Sequence, residues 1–598
     1  MWASSSSAQP VAPRAGAADL IGLEEVERGQ RGYGLSVFAG ASPERFDVEV
    51  IGVLREFRPG MSFILARFSG QGLEESGVVA GMSGSPVYLD ERLAGAVAFS
   101  WDFSTGAIGG ITPIAEMRAL SGLSRDAPSA RPASRLGSFS SLRRLLEPQL
   151  PRELLDEQVE LLRGAVALEG SSSTLQYAAS GYTGAPRELL TRALGAVAPV
   201  GRASDALDLP PLQPGSAVTA VLVGGDLSLT ATGTVTEVAG DELVAFGHPI
   251  YGLGPVRVPM AKVEVLTVVP SRLSSFKLSN VGEVIGAFDQ DRMAGVRGLI
   301  GAEAPTASLV ISLDRAPGPD EASPVRLAEY ALRIADLPLL RPTLAAIAVL
   351  QALDAASHSS GDQSLEMTGR FAVDGFAPLD VRQIFDGPNA GMDAAIYMLL
   401  LVGFFELSDW QDVELREIEV SLLQHPRVRR ATLTSAHADR RQVRAGETVQ
   451  VRCELRGHDG STSSRTLEVG IPHDAPPGPY YLFVGDATTI DSVRQQIEPT
   501  EPSSFEQALE VLRGLHPRDR LAVLGARAAR GLVVSGRAMP DLPGSMRSIW
   551  GAASPSQVRA LSLSIQQHLV EDAGLPLEGA ERIDLEVIDP VTGGAAGD

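Results

Sequence analysis

The run Gly81-Met82-Ser83-Gly84-Ser85-Pro86 sets a serine between glycines, ahead of the alternating stretch VYLDERLAGAVAF. Glycine tolerates the left-handed backbone of a tight turn and lets a second chain come close. A serine so placed can attack a carbonyl, with the amides of Gly81 and Ser83 converging as an oxyanion hole. The strand-to-helix elbow G-x-S-x-G does not fit, because Ser85 stands where its second glycine belongs. Such chemistry needs a proton acceptor. His248, in LVAFGHPIYGLGPV, is the only histidine in the first 350 residues. A neutral imidazole is the side chain best suited to take a serine proton near neutral pH. Each motif also has an inert reading, since glycine–serine turns join strands in many proteins and a turn histidine commonly bonds to backbone.

Two carboxylates, Asp289 and Asp291, follow His248 by 41 and 43 residues. Either can orient an imidazole, and either can instead pair with Arg292 or Arg297, which leaves a Ser–His dyad open. Lys262 and Lys277 are the only lysines, and both lie in the histidine block. A lysine base must be buried to lose its proton near neutrality. Ser274-Ser275-Phe276-Lys277 gives no sign of burial, so a Ser–Lys arrangement is disfavoured. No HExxH, clustered metal-ligand spacing, P-loop or dinucleotide fingerprint occurs, so neither a metal nor another cofactor is expected.

GMSGSP preceded by SGVVA and followed by a G-A-V strand, the GHP turn, and SSFKLSNVGEVIGAFDQDRMAGVRGLIG together resemble the SpoIVB-type sporulation serine peptidases. The resemblance covers roughly residues 30–120 and 215–305, about a third of the chain. It implies a trypsin-like double β-barrel and a serine endopeptidase, with Ser83 the nucleophile and His248 the general base. Here the serine precedes the histidine, so the motif order is circularly permuted. The spacing to the acid of trypsin-like barrels favours Asp291, with Asp289 as alternative. The family's own acid lies shortly upstream of the serine, where this chain has Phe68-Ser69 with only Glu74 and Glu75 near. The same alignment puts Gly77 at the base of the primary pocket and Ala98-Phe99-Ser100 along its side, which implies small or apolar residues before the cleaved bond. The Phe99 strand could hold a peptide by strand addition. Met82 replaces the aspartate that pairs with a freed amino terminus in many trypsin-like zymogens, so that activation is not expected. The implied partner is a protein or peptide substrate, the chain itself included at a Ser/Ala/Pro-rich linker over Ser121–Ser141. Secretion or a periplasmic location is implied as well, although the first residues lack the apolar core of a signal peptide.

These motifs require β elements to hold them, and the patterning supplies these. Between 30 and 125, short alternating segments such as RFDVEVIGVLREF and SFILARFSG predict a serine-bearing barrel half. An amphipathic helix over Ser138–Ala165, broken at Pro148 and Pro151, makes 126–210 a helical spacer. Strands return over 211–315 as the histidine-bearing half, with Gly224-Gly225 as a hairpin signal. The region 316–428 is mixed α/β, with buried helices predicted over Pro342–Ala356 and Ala394–Phe405. An immunoglobulin-like β-sandwich is expected over 429–495, and a helical or mixed region over 496–598, with helices signalled at Ser504 and at Ser554-Pro555. Residues 1–29 read as a flexible lead. The fold class is therefore mainly β with added helices. At 598 residues and 44 % hydrophobic content, several packed cores are affordable. Lys+Arg 51 against Asp+Glu 73 gives a charge of −22 that repels phosphate backbones, which argues against nucleic acid as a partner. The single cysteine, Cys453, excludes an internal disulfide. The longest apolar run is too short to cross a bilayer of roughly 30 Å.

Overall fold

Strands β1 (Arg31–Ser36), β2 (Glu44–Arg58), β3 (Met61–Ser69), β4 (Pro86–Leu89), β5 (Arg92–Ser100) and β6 (Ile108–Pro113) close on themselves in the order β4-β1-β2-β3-β6-β5-β4. In a closed ring each strand turns alternate residues inward. Phe46, Val48, Val50, Ile64, Ala66, Phe68, Val87, Val97 and Ile111 fill the interior. The computed structural model describes residues 19–589, apart from 59–60, 102–105, 124–137, 146, 148–149, 151–152, 167–171, 174, 202–206, 319, 357–361, 500–501, 535–536 and 554–557. Most of the proposed self-cleavage linker and the Ser554-Pro555 cap lie outside the described residues.

A two-residue strand, β7 (Ser172–Ser173), adds to β5. The second sheet comprises β8 (Gln176–Ser180), β9 (Val197–Gly201), β10 (Ala217–Gly225), β11 (Ser228–Ala239), β12 (Glu242–Ala245), β13 (Gly254–Val269), β14 (Phe276–Arg292) and β15 (Gly295–Ile300). It continues into β16 (Thr306–Arg315), β17 (Val325–Ala335), β18 (Gln363–Val373), β19 (Leu379–Gly387) and β20 (Leu415–His425). Within it, the pairings β10–β11, β11–β12, β12–β15, β15–β14, β14–β13 and β13–β10 run full circle. The β10–β11 hairpin turns just after Gly224-Gly225, with Gly225 at φ +108°.

The helices Arg341–Ala356 and Ala390–Glu406 pack together against this sheet, and nearly every residue of the second from Ala394 onward is buried. The reading of 126–210 as a helical spacer is corrected: its helices Ser138–Leu145, Glu153–Val166 and Gly184–Leu194 join the same core, but β7 pairs with the first sheet and β8 and β9 are strands of the second. Residues 431–587 build the sandwich from two sheets around Leu433, Val449, Cys453, Leu467, Tyr480, Leu482, Val523 and Leu585. Its second sheet draws strands from Arg520–Val534 and Ala580–Val587, well beyond residue 495. Ser504 caps the helix Phe505–Arg513, accepting from the Gln507 amide. The second tail helix is corrected: Val558–Asp572 is a strand, because Leu561 and its neighbours pair along Arg520–Val534. No helix among the described residues is long and apolar enough to cross a membrane.

Candidate active site

Two hydrogen-bonded turns shape the serine motif: the Met82 amide donates to Val79 O at 3.0 Å and the Ser85 amide to Met82 O at 2.9 Å. Gly81 and Gly84 carry φ values of +94° and +93°, where a side chain would be strained. Gly84 has a second reason to be glycine, since a Cβ there would lie 1.9 Å from Thr234 O and 2.4 Å from Phe246 N. The Gly84 amide donates to Val97 O at 2.7 Å, anchoring the turn on β5. From β11, the Thr234 amide donates to Ser83 O (2.7 Å), while the Thr234 and Thr236 hydroxyls donate to Gly81 O (2.9 Å) and Gly84 O (2.8 Å). Three carbonyls of the turn are thereby engaged. Among the described residues no acceptor meets the amides of Gly81 and Ser83, the two expected at an oxyanion hole.

The histidine turn is held by the same framework. Gly247 N donates back to Ala245 O at 2.9 Å across Phe246, whose φ is +69°, a γ-turn of the rarer, strained hand. The Phe246 amide reaches Thr234 O at 3.3 Å and Thr112 Oγ1 donates to Gly247 O at 2.6 Å. Thr234 therefore bonds Ser83 through its N–H and Phe246 through its carbonyl, so the two turns adjoin. His248 Nδ1 lies 2.7 Å from Pro249 O. A carbonyl only accepts, so Nδ1 carries the hydrogen and Nε2 presents a bare lone pair. Burial without a charged partner pushes the imidazole down to about 4, leaving it neutral at pH 7. Ser83 and His248 are both 0 % exposed, and neither Ser83 Oγ nor His248 Nε2 has a hydrogen-bond partner.

The acids stand elsewhere. Asp291, buried, receives the amides of Ile250 (2.8 Å), Tyr251 (2.8 Å), Gly252 (2.9 Å) and Leu253 (3.4 Å). It thus folds the loop after Pro249 and makes no hydrogen bond to the imidazole. Burial raises its carboxyl above the ordinary range against the pull of those donors. Asp289 is paired with Arg297 at 2.7 Å. The Pro249 carbonyl occupies the place at Nδ1 that an acid was expected to take. Glu74 accepts from the Gly70 amide.

Gly77, at φ +69°, follows a short helix over Leu73–Ser76, and the space where its Cβ would project is open. Ala98 and Phe99 are buried, and the Phe99 ring lies 6.0 Å from the imidazole. Strand addition at Phe99 meets an obstacle, because β6 pairs on one side and β7 on the other through Phe99–Ser173 and Ser100–Ser172.

Lys277 is the residue that sequence reasoning undervalued. It is fully buried at the start of β14, and its Nζ lies 3.0 Å from Ser36 Oγ. Lys277, Ser279 and Val281 alternate inward along the strand while the apolar Phe276 and Leu278 take the other face, so apolar alternation in the sequence pointed the lysine the wrong way. Lys262 instead is partly buried and paired, its amine donating to Leu209 O at 2.9 Å and to Glu283 at 2.7 Å. A cavity of about 880 Å³ lies away from these turns and is lined by Asp386, Tyr397, Arg430, Asp486, Arg518 and Glu578 among others. Scans against family models, curated proteins and solved structures each find no match for this chain.

Proposed function

We propose that the chain is a serine endopeptidase of the SpoIVB peptidase type, with Ser83 as nucleophile and His248 as general base. The observation that carries this reading is a pair of orphans: Ser83 Oγ and His248 Nε2 are both buried and unpartnered, on two turns stitched together through Thr234. Buried polar atoms are nearly always satisfied in folded proteins, so each orphan calls for an explanation, and a nucleophile with its base is one. His248 Nε2 accepts the Ser83 proton as Oγ bonds to the peptide carbonyl carbon, and the carbonyl electron pair moves onto oxygen. The amides of Gly81 and Ser83 are the donors left over for that oxyanion. Collapse expels the amine, which takes its proton from His248, and water then hydrolyses the acyl-enzyme by the same route. The Pro249 carbonyl sets the tautomer, and Asp291 positions the loop that carries it. The closed ring of β1–β6 and the circular pairing of β10–β15 support a permuted double-barrel core.

Complete burial of Ser83 and His248 favours a second reading, a catalytically inactive protease-like binding or scaffolding protein. A fluorophosphonate probe separates the two. An adduct mapped to Ser83 in the intact chain, and lost in His248→Gln, is the expected result; an unlabelled Ser83 makes the binding reading the better one.

A further inference from the structure

Beside Ser83, and independent of it, three side chains form a line. Lys277 Nζ lies 3.0 Å from Ser36 Oγ, and Ser36 Oγ lies 3.0 Å from Ser85 Oγ. All three are 0 % exposed. Buried lysines are almost always paired with carboxylates; this one has only a hydroxyl.

We propose that Lys277, Ser36 and Ser85 form a second nucleophilic site, in which the lysine amine, acting through Ser36, activates Ser85 toward esters, amides and related acyl donors. The framework holds the relay with care. Gln176 clamps the Lys277 backbone from both sides, donating to its carbonyl at 2.5 Å and accepting from its amide at 3.0 Å. Gly81 makes room for the stem, since a Cβ there would sit 3.2 Å from Lys277 Cδ. The Ala80 amide donates to Ser275 O at 2.8 Å and Ser275 Oγ to Ser76 O at 2.6 Å, which fixes the start of β14 against the serine turn.

Proton movement along the line balances. Ser85 passes its hydroxyl proton to Ser36 Oγ as Ser36 passes its own to the neutral Lys277 amine. Ser85 Oγ bonds to the carbonyl carbon, the carbonyl pair moves onto oxygen, and the leaving alcohol or amine recovers the proton from the ammonium through Ser36. Water then cleaves the acyl-Ser85 ester with the same base. Burial draws the Lys277 amine down to about 7, so a large neutral fraction exists near physiological pH. No charge opposes that burial. Ser36 from β1 meets the amine and Gly81 from the serine turn meets its stem, while Gln176 from β8 and Val268 of β13 pair with its backbone.

The test maps adducts on the full-length chain. Wild type, Ser83→Ala, Ser85→Ala and Lys277→Met are treated with a fluorophosphonate between pH 6 and 8, digested, and sequenced by tandem mass spectrometry. In this reaction Ser85 Oγ bonds to phosphorus and fluoride leaves. The expected result is an adduct on Ser85 in wild type and Ser83→Ala, absent in Lys277→Met, with a rate rising about tenfold from pH 6 to 8 as the amine deprotonates. No adduct on Ser85 in wild type or Ser83→Ala overturns the relay, and this arm holds whether or not the methionine variant folds. Equal Ser85 labelling in a folded Lys277→Met also overturns it. An adduct on Ser83 alone overturns the relay while supporting the Ser83–His248 reading, so the two stand or fall separately.

Discussion

Acidification should loosen the two turns through one imidazole. The His248 ring, ordinarily protonated near 6.5, holds off until about 4 in its buried seat. Between those values the unfolded chain binds a proton that the folded chain refuses, so stability contributed above pH 6.5 is lost as pH falls through 4. At about 1.4 kcal/mol per tenfold, the interval amounts to about 3 kcal/mol, or a few hundredfold in local opening. A chain with several cores unfolds in parts, so the assay is hydrogen exchange on peptides covering 79–86 and 244–253, corrected for intrinsic rates. Between pH 7 and pH 4, where the folded ring is itself half protonated, wild type should lose about a hundredfold of protection relative to His248→Gln. Asp291 and the surrounding carboxylates are common to both proteins and cancel in the comparison. An identical pH dependence in the two proteins would refute the reasoning, as would an assigned His248 resonance that titrates near 6.5.

Gly84→Ala places a methyl against Thr234 O at a left-handed position and should cost more than about 4 kcal/mol, seen as a lowered unfolding midpoint or loss of soluble protein. Asp291→Ala strands three close amides at about 1–3 kcal/mol each, so exchange across 249–253 should accelerate by at least a hundredfold. Lys277→Met should stabilise the fold at pH 6, and the advantage should shrink toward pH 10. The folded amine releases its proton near 7 and the unfolded one near 10.5, so wild-type stability climbs with pH across that interval by up to about 5 kcal/mol. Thermal midpoints of both proteins from pH 6 to 10 check this.

Short-range patterns told much of this architecture in advance. The runs Pro342–Ala356 and Ala394–Phe405 read as buried helices because they are apolar on every face, and the structure has helices over Arg341–Ala356 and Ala390–Glu406. The serine and histidine turns were visible because glycine marks left-handed backbone. Long-range pairing was not legible. The strands that complete the sandwich sheets come from beyond the helices Ala487–Ile497 and Phe505–Arg513, and no local period reports on such a partner. Over Val558–Asp572, a ladder along Arg520–Val534 overrode the cap-and-proline signal at Ser554-Pro555. Spacing likewise said nothing about what Asp291 would face. A carboxylate 43 residues from a histidine can meet a ring nitrogen or a row of amides, and only the fold decides.

The two-residue strand β7 carries a kinetic consequence. It holds the main-chain edge beside Phe99, the edge that the proposed function would give to an extended peptide, and the chain enters β8 only two residues later. A tethered occupant of this kind competes at an effective concentration on the order of mM, set by chain geometry and unaffected by dilution. Under the proposed function, an incoming peptide would reach this edge by displacing Ser172–Ser173. Weak peptides would be turned away, and long ones that capture several backbone hydrogen bonds would enter, so selectivity would begin as a contest between two strands for one edge.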